Sequence, residues 1–212
     1  GFPEKMGGWV KKYTSSFIGT CRKIKQWVSL TGTKYIALGT TKKTYIIQGT
    51  SFVDVTPIRA TTSAGDATFS ASNGSSTVTV NETGHNAVQG DFVTFSGAAS
   101  LGGNVTAEVL NQEYEILAIS SSNAFTITAK DTSGVTVTAN ASDSGNGGSS
   151  TVAAFQISIG EDVAVPGGGW GAGTWSSGTW GTAVGDSVTN TLRLWSLDNF
   201  GEDLVMNPRL GG

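Results

Sequence analysis

Apolar and polar positions alternate along residues 20–58 in four short runs. In TCRKIKQWVSL, Ile24, Val28 and Leu30 fall on one side and Lys23, Lys25 and Trp27 on the other. That period of two is the signature of a strand. TGT follows, with Gly32 free to take a positive φ in a tight turn. KYIALGT, TYIIQGT and SFVDVTPI read as three more strands. Pro57 ends the last, having no N–H to give a ladder. Connections this short force each strand antiparallel to the one before. The pattern predicts a four-stranded meander, the unit of a β-propeller blade, which would also suit part of a sandwich.

The texture then changes. RATTSAGDATFSASNGSS reads as a linker and a short strand, and STVTVNE again alternates. In GDFVTFSGA, Phe92 falls on one side and Val93 and Phe95 on the other. QEYEILAIS, AFTITAK and GVTVTANAS complete a run of short strands with polar turns, the spacing of a small barrel or sandwich. SDSGNGGSS reads as a second linker, and TVAAFQISIG as the strand after it. In NTLRLWSLDNFGEDLVMNP, Leu192, Leu194 and Leu197 alternate with Arg193 and Trp195, and DNFGED turns the chain back. This pair repeats the order seen in RKIKQWVSLTGTKYIALG: basic residue, apolar residue, Trp, glycine turn, apolar strand. The expected fold is all-β: partial propeller-like blades, built as antiparallel meanders, interrupted by an inserted small β-barrel or sandwich domain. The expected division is 1–61 for blade strands, 62–150 for the insertion and 151–212 for the return to blade.

Composition agrees with many short strands. Of 212 residues 30 are glycine and only 4 proline, and 38% are hydrophobic, below the usual ~45–50%. Charge is uneven. Residues 1–60 carry ten Lys/Arg against Glu4 and Asp54, while the remainder carries three against fourteen acids. Opposite fields on two stretches suggest two modules. The basic stretch can face nucleic acid or be a solvated strand face.

Chemistry-bearing residues are sparse. Cys21 is the single cysteine, which excludes an intramolecular disulfide framework and any cysteine-only metal cluster and reads as a lone buried thiol. His85, the one histidine, reads as an exposed loop residue. Glu113 and Glu115 fall on one face of a strand, ~6.5–7 Å apart by backbone rise, near the separation of a glycosidase pair; nothing else nearby builds a sugar site. GGGWGAG lacks a following helix to hold a phosphate. DTSGV and DSGNGG are too poor in acids for an EF-hand loop. The N-x-S/T triplets at Asn73, Asn81, Asn104 and Asn140 are the chance expectation in so polar a chain. No catalytic residue, metal site or cofactor is expected, and no apolar run reaches the ~18–20 residues of a membrane span. No signal-peptide pattern is present. The sequence, without an initiator Met, reads as a segment of a longer protein.

WGAGTWSSGTWG is the exception to this plainness. Half of the six tryptophans sit in it, at Trp170, Trp175 and Trp180. Indoles bury large areas with little lost entropy and are enriched at interface hot spots, and glycine lets the backbone present them. The readings are an anchor on a neighbouring subunit, indoles folded back over their own sheet, or carbohydrate stacking.

WVSLTGTKYIALGTTKKTYI, DVTPIRATT, WGAGTW and LRLWSLDNFGEDLVMNPRLGG together resemble virion proteins of short-tailed bacteriophages, the tail nozzle and tail-hub proteins built around a β-propeller. The resemblance covers about 1–60 and 152–212. The central GDFVTFSGA … NQEYEILAISSSNAFTITAK is similar to a small β-barrel half-domain first described in ubiquitin-activating enzymes, structural in phage proteins. The resemblance implies a non-enzymatic structural component of the tail, part of the DNA-ejection channel. It implies a virion location, a ring of identical subunits, six in number, contact with portal- or adaptor-side tail proteins, and transient passage of DNA. Lys11, Lys12, Arg22, Lys23, Lys25, Lys42 and Lys43 would then sit at subunit or ring junctions, with Trp170, Trp175 and Trp180 as interface anchors. The alternative is a receptor- or glycan-binding tail module; a hydrolase is the remaining possibility.

Overall fold

A computed structural model describes Gly8, residues 16–160 and residues 194–209. In chain order the strands are β1 (Cys21–Val28), β2 (Lys34–Thr40), β3 (Thr44–Gln48), β4 (Ser51–Asp54), β5 (Ile58–Thr61), β6 (Thr68–Ala71), β7 (Thr77–Asn81) and β8 (Phe92–Ser96). One helical turn, α1 (Ala107–Leu110), precedes β9 (Glu113–Glu115), β10 (Ala118–Ser121), β11 (Ala124–Thr128), β12 (Val152–Gln156), β13 (Leu194–Phe200) and β14 (Asp203–Arg209). The protein is all-β, and every strand pair among the described residues is antiparallel. The sheets are open; none among the described residues closes into a barrel. The described residues fall into two compact units, 16–55 with 194–209, and 56–160.

In the first unit β1 to β4 form one sheet in sequential order, the blade-like meander that the alternation predicts. Register places Trp27 opposite Tyr35, Ile36 opposite Ile47 and Ile47 opposite Phe52. The β13–β14 hairpin belongs to the same unit and covers one face of that sheet over β1 and β2, leaving Val53 of β4 exposed on the same face. The covered face is the one carrying Lys23, Lys25 and Trp27. Ile24 and Val28, which alternation alone would send to the core, are 60% and 56% exposed. Indole burial decides the orientation: Trp27 and Trp195 are both buried, whereas lysine stems can lie along an apolar edge with their ammonium groups in water. In β13 Trp195 and Leu197 turn inward and Leu194 outward, so Leu197 shares the face of Trp195 and not, as expected, that of Leu194.

The second unit is two four-stranded sheets, ordered β10-β11-β7-β6 and β5-β12-β8-β9. Both feed one core, with Phe69, Val78, Val80, Phe125 and Ile127 from the first and Val93, Phe95, Tyr114, Ala153 and Phe155 from the second. Ring centroids run from 5.0 Å (Phe69–Phe95) to 6.5 Å (Phe95–Phe125). Each such phenyl contributes about 1.5–3 kcal/mol when fully buried, so this aromatic stack is a principal support of the unit. β5 and β12, its first and last strands, pair side by side, and the Ile157 amide donates to the Pro57 carbonyl at 2.9 Å.

Two segments depart from the strands expected of them, and a third from the linker expected of it. QEYEILAIS is divided: β9 pairs with β8 and β10 with β11. Between them Ile116 is buried, its amide donating to the Asp91 carbonyl while that of Leu117 donates to Thr126. GVTVTANAS makes only an isolated bridge, Thr136 to Lys130, because its later residues are drawn into loops around Asp143. SDSGNGGSS is not a free linker either. Asp143 and Gly147 are buried, and the Gly145 amide donates to the Leu101 carbonyl at 2.7 Å.

Candidate interface surface

Three contacts join the hairpin to the sheet beneath it. At one end the Trp195 indole lies on Gly39, and its Nε1–H donates to the Thr40 carbonyl at 2.6 Å. A Cβ on Gly39 would stand 2.5 Å from Trp195 Cδ1 and 2.9 Å from its Cβ, so a strand-interior position that ordinarily favours a β-branched residue must here be glycine. At the other end Trp27 Nε1–H donates to the Glu202 carbonyl at 3.0 Å, and the Leu30 amide to the Glu202 carboxylate at 2.5 Å. Along the edge Lys25 Nζ meets Asp198 at 2.7 Å. That charge-assisted bond, then the Asn199 amide, hold the Asp198 carboxyl below the usual aspartate range. Face-to-face stacking of one antiparallel sheet on another is how successive blades of a propeller bury their faces.

The opposite face of β1 presents Ile24 and Val28, with Leu30 beyond them 93% exposed. Phe17 stacks on Phe52 at 6.3 Å and tilts over Tyr45, closing the far side of the sheet. Toward the β1 end a groove of about 570 Å³ opens, lined by Gln26, Val28, Lys34, Tyr35, Ile36 and Ile47 among others.

The candidate interface residues fall into three groups. Arg22 and Lys23 are exposed and Lys42 half-buried. Lys25 is engaged with Asp198, and Lys43, only 1% exposed, lies 2.6 Å from Asp54; both ammonium groups are thus tied to carboxylates of their own unit. Lys11, Lys12, Trp170, Trp175 and Trp180 lie outside the described residues, and with them the readings of the tryptophan string.

In the second unit the polar candidates have structural partners. His85 is buried, not an exposed loop residue. Its Nδ1 accepts from the Ala87 amide at 3.0 Å, which leaves Nε2–H to donate to the Ser121 carbonyl at 3.0 Å, and its ring meets Phe125 edge-on at 5.1 Å. Arg59 donates to the His85 carbonyl at 2.8 Å. Beside them burial pushes the Glu82 carboxyl up, and the Arg59 guanidinium only partly offsets it. Glu113 and Glu115 are exposed on either side of Tyr114, and Gln156 Nε2–H donates to Glu113. Asp143 accepts from the amides of Gly103, Asn104, Val105 and Asn140 at 2.8–3.0 Å. Desolvation would raise this carboxyl, but the four N–H donors outweigh it and hold it low. Asp131 likewise accepts from the Ser133 and Val135 amides. Both loops that resembled calcium turns spend these oxygens on backbone. Among the described residues no three His, Cys, Asp or Glu side chains converge as metal ligands, and no helix is long and apolar enough to cross a membrane.

The Gly39–Trp195 contact and the exposed phenyl of Phe200 were not singled out from sequence. A glycine inside a run of apolar strand residues was the one local signal, since it marks close approach of another group.

No protein-family model matches the chain, and no curated protein matches it. Among solved structures it is similar to the phage phi92 endosialidase, at 16% identity over 72% of this chain and 21% of that one, with a TM-score of 0.30. The chain therefore spans about a fifth of that protein's length, and a score so low supports no inference about activity.

Proposed function

We propose that this chain is a structural component of a short-tailed phage tail, in the nozzle or hub, where identical copies form a ring around the channel through which DNA leaves. The observation that carries the reading is the β13–β14 hairpin stacked face to face on the β1–β4 meander through Trp195 on Gly39. That arrangement is the elementary step of a propeller, and it falls in the segments whose sequence resembles the nozzle and hub proteins. The work of such a protein is to present rigid sheet surfaces to its neighbours; no covalent chemistry is required of it. In this reading Arg22, Lys23 and Lys42 line junctions between subunits or between rings, and the ring, of six copies, meets portal- or adaptor-side tail proteins in the virion.

The test is negative-stain imaging of the purified chain. Closed rings with a central opening wide enough for a DNA duplex, ~20 Å, support the proposal. Particles without an opening at every concentration overturn it.

A further inference from the structure

The hairpin that covers one face of the sheet has an outward face of its own. Leu194, Ser196, Asp198 and Phe200 lie on it from β13, and Asp203, Val205 and Asn207 from β14. Phe200 is 82% exposed, and Leu194 and Val205 are exposed as well. An apolar surface with an acidic edge at Asp203 therefore stands on one side of the unit. On the other side is the groove, floored by Val28, Ile36 and Ile47 and edged by Lys34, which pairs across from Val28.

The two surfaces lie at the same end of the sheet. Glu202, in the hairpin turn, bonds Trp27 and Leu30, so the turn sits over the Val28 end of β1. Phe200 and Asp203 flank that turn as cross-strand partners. The groove opens at that same end, on the opposite face. Stacked sheets lie ~10 Å apart. Repeating the sheet-on-sheet step once more, with a second copy, brings Phe200 of the first over the groove of the second and Asp203 beside Lys34.

We propose that copies of this chain associate head to tail, the β13–β14 hairpin of one docking its outward face on the next, with Phe200 in the groove between Val28, Ile36 and Ile47 and Asp203 against Lys34. The occupant is a second copy because the knob, the groove and the opposite charges all belong to this chain. Such a contact is heterologous, and repetition closes a ring or runs on as a filament. The inference deepens the ring reading by naming its contact, and rests on it.

The test uses two variants of the full chain and sedimentation velocity. Phe200→Ser removes the knob and leaves the groove; Val28→Asp blocks the groove and leaves the knob. Both positions are exposed, so each variant keeps the wild-type melting temperature. Each alone is expected to weaken self-association by about tenfold or more. Mixed, the two restore a one-to-one dimer and nothing larger, because one intact knob meets one intact groove. The charge swap gives a second readout: Lys34→Asp weakens association and Lys34→Asp with Asp203→Lys recovers it. Mixing that fails to restore a dimer overturns the docking. Wild-type rings untouched by either variant also overturn it and leave the ring reading standing. Filaments without closed rings sustain the docking and overturn the ring. Wild-type chains that stay monomeric at millimolar concentration overturn both.

Discussion

Replacing Gly39 by alanine adds a single methyl group under the Trp195 indole. Gly39 is not among the positive-φ glycines, so the backbone accepts alanine and the whole effect is steric. The new Cβ would stand 2.5 Å from Trp195 Cδ1, against the ~3.5–4.0 Å of an ordinary carbon contact. The ring must retreat by about 1 Å or more, which breaks the bond from Nε1–H to the Thr40 carbonyl. Overpacking costs about 1–3 kcal/mol and an orphaned buried donor about 1–3 kcal/mol more, so a loss of about 2–5 kcal/mol is expected. That is a large share of a typical ~5–15 kcal/mol of stability. Tryptophan emission during urea unfolding is a selective assay, because all six tryptophans lie outside residues 56–160. Trp195→Ala on the Gly39→Ala background removes the clash, so the double variant should lose less than the sum of the single losses. A Gly39→Ala chain that unfolds at the wild-type urea concentration would refute the stacked hairpin.

Further tests probe the second unit and the buried lysine. Asp143→Ala leaves four backbone donors without their acceptor and should cost that unit about 3 kcal/mol or more, read by circular dichroism melting. The folded carboxyl titrates lower than the ordinary value of about 3.9, so its contribution is fully present above that value and lost as pH falls through the folded one; Asp143→Asn should flatten this acid limb of the stability profile. His85→Ala removes the acceptor for Ala87, the donor to Ser121 and the ring against Phe125, an expected loss of about 2–4 kcal/mol, where an exposed histidine would lose nothing. Lys43→Ala removes a side chain that is only 1% exposed together with its 2.6 Å bond to Asp54 and should cost about 1.5–3 kcal/mol, measured by tryptophan emission.

The strands of residues 20–58 were legible because each alternates and each ends in a turn of Gly, Thr or Pro. The all-β class followed from the same signals. What alternation leaves open is which of two faces is covered. Ile24 and Val28 look like core, yet the covering element is a hairpin whose Trp195 meets Thr40 across 155 residues of sequence. His85 was misread for a related reason. A Gly-His-Asn turn looks solvent-facing, and only the distant Ser121 carbonyl and Phe125 ring bury it. SDSGNGGSS has the composition of a linker, but four amides converge on Asp143, a satisfied site that composition does not register. Phe200 was invisible as a knob because exposure depends on the hairpin's outward side, fixed only once Trp195 and Leu197 turn inward.

Native mass spectrometry of the purified wild-type chain is the decisive experiment for ring assembly. A closed ring gives one dominant assembly at an integer multiple of the 21.8 kDa chain, with no open series of intermediate masses. A spectrum holding only the 21.8 kDa species across the accessible concentration range would contradict it.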